Sequence, residues 1–348
     1  MRIILFGNRG YASRVLEDLI ARKANVVALC TKPPLPLRRK LRIRAGALMR
    51  WLHLRADVGH SLKGPFDDFP EPADIARAGG IEIIASKGLK SAATLARMTE
   101  LKPDLILVAG FHRLIPPTIY GLARLAAINL HPGPLPQHRG GTPNRWIIRH
   151  GESHSCITAH LLSEEFDTGD IVAEKAISVR PQDTWGDLEL RIVDAMPGVV
   201  EEIVAAVAED RLVRRKQDAG LAAYEHSYGE KDRIIDWRLD AEAIRRTCYA
   251  IRPKSGGLTG FDGKPLCLWD LEAEVLQDTA VAPGQVVRVE SNGDPVVACG
   301  GGTAARLTGF LDRRRLVPSS RLARRLGWSA GQHFDPAAPA VTDTPPDT

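Results

Sequence analysis

Several kinds of signal are missing from this sequence, and each absence excludes something. No stretch approaches the roughly 18 consecutive apolar residues that a membrane span requires, so no membrane partner is expected. The start, Met1-Arg2-Ile3-Ile4-Leu5-Phe6-Gly7, runs straight into a strand pattern. It has neither the apolar segment nor the small-residue cleavage site of a secretory signal. The five cysteines (Cys30, Cys156, Cys248, Cys267 and Cys299) are scattered and odd in number, with no Cys-x-x-Cys pair. That argues against a disulfide scaffold and a zinc site, and the expected setting is a reducing cytoplasm with no metal. Gly7-Asn8-Arg9-Gly10 is not a dinucleotide fingerprint, because the spacing fails and Ala12 stands where a glycine belongs. A GK[ST] phosphate loop is absent too. What remains is a tight strand-to-helix turn whose amide groups can face a ligand. There are no internal repeats. Finally, no acidic residue occurs between Lys32 and Ala56, a span with eight basic ones.

What is present fits a folded protein of about two domains, at roughly 100–200 residues each. The chain has 348 residues, 44% hydrophobic and 26% charged. The net charge of +5 is small, but its distribution is not even. The second basic cluster is Arg313-Arg314-Arg315 with Arg321, Arg324 and Arg325. Such clusters attract polyanions or lie as solvated faces.

Through residue 208 strand and helix signals alternate. Apolar strands are expected at Ile3–Phe6, Val26–Cys30, Ile81–Ile84, Leu105–Ala109 and Ala126–His131, with two more at Ile157–Leu162 and Asp170–Ala173. Continuous apolar strands joined by helices predict an α/β fold, a doubly wound, mostly parallel sheet covered on both faces. A helical stretch is expected over 186–209, interrupted at Pro197-Gly198, and a basic helix over 38–54. Residues 209–232 are polar and read as a linker. From 233 to 330 the texture changes to a helix and short strands with hairpin signals at Asp262-Gly263 and Asn292-Gly293, a smaller β-rich domain. Residues 335–348 read as a disordered tail.

The densest chemical signal is Asn129-Leu130-His131-Pro132-Gly133-Pro134-Leu135-Pro136-Gln137-His138-Arg139-Gly140-Gly141-Thr142-Pro143. Asn129 and His131 project to one face at a strand end, where ligands of open α/β sheets lie. The second cluster is Ser163-Glu164-Glu165-Phe166-Asp167-Thr168-Gly169-Asp170-Ile171, 36 residues on from His131 to Asp167. An Asp beside a His orients the ring and raises its pKa. Asn129 offers an uncharged donor for an oxyanion. Asn, His and Asp without a Ser or Cys nucleophile paired to them argue against acyl-enzyme chemistry and fit direct attack on a carbonyl by an external nucleophile.

Asn129-Leu130-His131-Pro132, the Leu-Pro-x-x-Arg-Gly stretch and Asp167-Thr168-Gly169-Asp170 resemble the 10-formyltetrahydrofolate-dependent formyltransferases. The resemblance runs over about residues 1–205 and continues into Asp232-Arg233-Ile234-Ile235-Asp236-Trp237. It implies a Rossmann-like catalytic domain and a C-terminal barrel-like (OB-like) domain. It implies catalytic roles for Asn129, His131 and Asp167, and a 10-formyltetrahydrofolate co-substrate without a metal. The folate would be met by Phe111, Leu114, Ile115 and Pro116 of one loop and by Glu165, Phe166 and Asp170 of another. The acceptor amine would be met by Arg38, Arg39 and Lys40, at the start of the basic insert, and by Arg139. The loop after His131 departs from the Ala-Ser-Leu-Leu-Pro pattern of the methionyl-tRNA enzymes. Arg252-Pro253-Lys254-Ser255-Gly256-Gly257 likewise departs from their Asn-Pro-Trp-Pro-Gly-like stretch. The expectation is therefore a small primary amine such as an amino sugar, with initiator methionyl-tRNA as the alternative. A hydrolase releasing formate is a third possibility, and a binding module with a degenerate site is disfavoured by the intact Asn129, His131 and Asp167 set.

Overall fold

The structure, a computed structural model, describes residues 1–32, 62–278, 280–312 and 315–336. The expected helix over 38–54, with Arg38, Arg39 and Lys40, lies outside the described residues.

The first half is built on β1 (Arg2–Gly7), α1 (Tyr11–Ala21), β2 (Asn25–Thr31), α2 (Pro72–Ala78), β3 (Glu82–Ala85), α3 (Ala92–Glu100), β4 (Leu105–Ala109) and α4 (Pro117–Tyr120). It continues with β5 (Ala126–His131), α5 (Pro143–His150), β6 (His154–Leu161), β7 (Ile171–Ser178) and α6 (Trp185–Ala208). The sheet order is β3-β2-β1-β4-β5-β6-β7. The first five strands pair in parallel, whereas β6 runs antiparallel to both β5 and β7. The order reverses at β1 and β4, which opens a crevice beyond their carboxyl ends.

Strand alternation sorts the apolar residues onto two faces. Ile3, Leu5, Leu105 and Leu107 join a core with α1 and α6. Ile4, Phe6, Ile106 and Val108 join the opposite core with Met98 and Ile119. Helix α6 runs unbroken through Pro197, contrary to the expected interruption. Its Thr184 capping box satisfies the first turn, and nine further apolar side chains along it are buried, which outweighs the one amide that proline removes.

The second half comprises α7 (Ala241–Tyr249), β8 (Gly257–Phe261), β9 (Lys264–Val275), β10 (Val286–Val289), β11 (Pro295–Ala298), β12 (Thr303–Asp312), β13 (Arg315–Pro318), α8 (Ser319–Leu326) and β14 (Phe334–Pro336). The strands form an antiparallel half-barrel in the order β10-β11-β12-β9-β8-β14, with β13 on β12. Its core is aromatic: Phe261 meets Phe334 at 4.9 Å and Trp328 at 5.9 Å between ring centroids. β14 corrects the expected start of the tail at 335. Asp335 and Pro336 pair with β8, because Phe334 buries its ring and holds the following backbone against an open edge.

The segment after α6 also departs from a plain linker. Arg215 and Ile171 exchange both backbone bonds at 2.8 Å. Arg139 donates its amide to the carbonyl of Ala223 and accepts from the amide of Glu225, both at 3.1 Å. The segment is polar because its partners are backbone and polar side chains of the first half.

Candidate active site

The register of β5 on β6 sets His160 opposite Asn129 and Thr158 opposite His131. Four polar side chains thus share one face at the carboxyl end of β5. His160 Nδ1 donates to the carbonyl of Leu161 at 2.9 Å, which leaves Nε2 as an acceptor. Asn129 Nδ2 donates to it at 3.0 Å.

Asp167 comes from the loop after β6, with φ of +58°. That left-handed conformation is disfavoured for any residue but glycine, so neighbours must hold it. They do so on one side of the carboxylate. The amide of Gly140 donates to Oδ2 at 3.0 Å. The other oxygen, Oδ1, lies within a ring of three nitrogens. His160 Nε2 is 3.4 Å away, and His131 Nδ1 and Asn129 Nδ2 are each 3.5 Å away. One oxygen is therefore an anchor and the other is loosely engaged.

His131 is 3% exposed, and burial pushes its pKa below the ordinary value while Asp167 opposes the shift. The ring is neutral at pH 7. Its Nε2 donates to the carbonyl of His138 at 2.7 Å, so the network assigns the proton to that nitrogen. Nδ1 then presents a lone pair toward Asp167 Oδ1. Burial pushes Asp167 up, but the nearby His160 and His131 rings and the Gly140 amide outweigh it and bring it to about 2. Asp167 is ionised.

The loop from 132 to 142 is clamped. Thr158 Oγ1 donates to the carbonyl of Gly133 at 2.7 Å. A Cβ on Gly133 would lie 2.8 Å from the Cβ of Pro143 and 3.2 Å from His131 Nε2, so only glycine lets the backbone pass there. His138 is buried between Glu152 and Glu225. Burial lowers its pKa, but the two carboxylates prevail and raise it to about 9.

Asn129, His131, His160 and Asp167 line a cavity of about 1150 Å³. Of the residues expected to meet folate, Phe111, Leu114, Ile115, Glu165 and Phe166 line it, as do Asn129, His131 and Asp167. Pro116 and Asp170 do not; Pro116 instead caps α4. Arg139 does not line it either. Its guanidinium donates to Gln217 Oε1 from Nε at 3.1 Å and Nη2 at 2.7 Å, and from Nη1 to the hydroxyl of Tyr224 at 2.9 Å. The expected acceptor contact is replaced by a structural one, because the segment after α6 folds back onto it.

The sequence reading missed His160, Gln217 and a second polar centre on the cavity wall. There the buried carboxylate of Glu189 accepts from Tyr11, Asn144 at 3.2 Å and Trp185 Nε1 at 2.7 Å. Burial raises its pKa. His160 was legible in principle: Thr158 and His160 alternate as polar residues with the apolar Ile157, Ala159 and Leu161. Among the described residues no group of three His, Cys, Asp or Glu is arranged to hold a metal ion, and no helix is long and apolar enough to cross a membrane.

Residues 1–204 match the family described as Formyl transferase, and residues 229–319 match its C-terminal domain. The chain belongs to the formyl transferase family. It is a formyl-transferring enzyme. Curated relatives include the methionyl-tRNA formyltransferase of Geobacter metallireducens, 28% identical over 304 residues, covering 87% of this chain and 88% of that one. That of Thiobacillus denitrificans is 28% identical over 302 residues, covering 87% and 89%. Among solved structures, an N-formyltransferase from Helicobacter canadensis in complex with folinic acid and dTDP-3-aminofucose superposes with a TM-score of 0.61. It is 13% identical, with 88% of this chain and 98% of that chain covered. HypX from Aquifex aeolicus, in complex with tetrahydrofolic acid, gives 0.58 at 18% identity and 94% coverage of this chain. This formyltransferase spans about half (47%) of the HypX chain. At these identities the structural matches establish a shared fold.

Proposed function

We propose that the enzyme transfers the formyl group of 10-formyltetrahydrofolate to a primary amine on a small acceptor, such as an amino sugar. The observation that carries this is the convergence of Asn129, His131 and Asp167 on one cavity. Among the described residues no serine or cysteine is hydrogen-bonded to His131 or to the Asp167 carboxylate, so the set lacks the paired nucleophile and base of covalent catalysis. The apolar side of the cavity fits a pterin: Leu114 and Phe166 line it while 44% and 51% exposed, which a bound ring would cover. When bound, the folate supplies an activated formyl carbon.

The acceptor amine attacks that carbon directly. Asn129 Nδ2 keeps its 3.0 Å bond to His160 and turns its second N–H from the 3.5 Å contact with Asp167 to the developing oxyanion. Neutral His131 takes the amine's proton on Nδ1, the imidazolium is paired with ionised Asp167, and the tetrahedral species collapses by breaking the bond from the formyl carbon to N10, so that tetrahydrofolate leaves carrying the proton that His131 returns. With a pKa near 2, Asp167 is too weak a base to take that proton itself, so its contribution is electrostatic.

A small acceptor is supported by a further part of the cavity lining. It is made by Tyr224 and Tyr228 after α6 and Lys254 of the second half, and the cavity volume suits two small molecules. A second reading, methionyl-tRNA as acceptor, is favoured by the end-to-end similarity to relatives of that name. Purified enzyme with 10-formyltetrahydrofolate is offered dTDP-3-aminofucose and methionyl-tRNA separately, and products are read by mass spectrometry. The expected product is the formylated sugar amine, with no formylated enzyme in single-turnover mixing. Formylation of methionyl-tRNA alone selects the second reading, and acceptor-independent formate release at the same rate overturns both.

A further inference from the structure

Asp167 is held at two points, and both lead to the segment between the two halves. The first is its main chain. Gln217 Nε2 donates to the carbonyl of Asp167 at 2.8 Å and to that of Gly169 at 2.7 Å. The second is its side chain. Oδ2 is bonded by the amide of Gly140, next to Arg139, whose backbone bridges Tyr224. The Arg139 guanidinium in turn gives two hydrogen bonds to Gln217 Oε1.

The carboxamide of Gln217 is thus fully used, with two N–H groups on two carbonyls and its oxygen on Arg139. No other side chain of that length offers donors and acceptor in this arrangement. A glutamate keeps the bonds from Arg139 and loses both donors. Gln217 is itself placed by the backbone pair between Ile171 and Arg215, two residues earlier. The loop it grips has little freedom elsewhere: a Cβ on Gly169 would lie 1.8 Å from the carbonyl oxygen of Leu161.

We propose that Gln217 is a positioning residue that holds Asp167 in its working geometry, so that the segment after α6 completes the active site. The inference rests on the role given to Asp167 above. Left without the clamp, the positive φ at Asp167 relaxes and Oδ1 leaves the ring formed by Asn129, His131 and His160.

The test compares wild type with Gln217→Glu and Gln217→Met in the full chain. Formyl transfer from 10-formyltetrahydrofolate to dTDP-3-aminofucose or methionyl-tRNA, whichever the wild type accepts, gives kcat and KM. The titration of His131 is followed by NMR of the imidazole without any acceptor. The charged and titratable groups acting on that ring are Asp167, His160 and His138. Asp167→Asn sets the scale for complete loss of its charge. Both Gln217 variants are expected to lose about 10- to 100-fold in kcat, the cost of roughly an ångström of misplacement, without a matching change in KM for the folate. The His131 midpoint should move down toward that of Asp167→Asn, since a carboxylate that faced the ring no longer does. A fall in melting temperature alone, with kcat and the His131 midpoint unchanged, overturns the proposal and leaves Gln217 as a structural tie. Full activity in Gln217→Glu overturns it as well. If the wild type formylates neither acceptor, the small-amine reading fails while the imidazole titration still decides the role of Gln217.

Discussion

His131 and His138 lie seven residues apart and are tuned in opposite directions by the same two forces. Burial disfavours the charged ring in both. At His131 the one carboxylate is 3.5 Å away and burial wins; at His138 two carboxylates stand at 3.1 Å and charge wins. A base that must be neutral to act then stays available in mild acid. The acid limb of the kcat profile should fall below the ordinary histidine value of about 6.5. A limb above it contradicts a neutral His131 as the base. His131→Ala should lower kcat by about two to four orders of magnitude in single-turnover assays, as for a lost acid–base group. The sign reverses for His138, whose folded pKa of about 9 lies above its unfolded value. Its contribution to stability is complete below about pH 6.5 and is lost as pH rises through about 9, on the order of 1–3 kcal/mol in all. Urea unfolding of wild type and His138→Gln between about pH 6 and 10 should show two curves that converge at the alkaline end. Parallel curves would mean that the two carboxylates do not hold the ring.

At the scale of elements, the local signals were legible and the pairings were not. The apolar strands, the turn at Gly7–Gly10 and the Asp262-Gly263 hairpin follow from short stretches of sequence. Both hairpin residues have positive φ, at 51° and 67°, as the mirror-image turn requires. By contrast, the antiparallel placement of β6 depends on which strand it meets, and that choice put His160 against Asn129. The stretch from 209 to 230 reads as polar because its partners are polar, so its part in the site is invisible without the fold. Two glycines separate conformational cost from crowding. A Cβ on Gly263 meets nothing within 4 Å, so Gly263→Ala should cost only the left-handed backbone, about 1 kcal/mol, with activity intact. A Cβ on Gly169 meets the carbonyl of Leu161, so Gly169→Ala must displace the Asp167 loop and should cut kcat by about 100-fold or more. Thermal melts and initial rates on the two variants distinguish these outcomes, and a fully active Gly169→Ala would deny the loop its precision.

For the whole molecule the open variable is the acceptor, and charge bears on it. The chain carries 47 Lys and Arg against 42 Asp and Glu. Much of the basic surface of the half-barrel is answered locally: Arg288 pairs with Glu274 and Glu290, Arg306 with Glu272, and Arg325 with Asp312. Cations already paired across a strand or a helix offer less to a polyanion, because the new contact must displace an existing one. A small phosphate-bearing acceptor would engage only one or two arginines, as bidentate contacts. Its KM should then rise with salt by a slope no steeper than about two charges, roughly tenfold between 50 and 200 mM. An RNA acceptor touching six or more phosphates would lose about 10³-fold or more over the same interval. The measurement is KM for the accepted amine across that salt range, with KM for the folate as the internal reference. A slope near six would place the acceptor along the basic clusters and reject a small amine, whatever the cavity can hold.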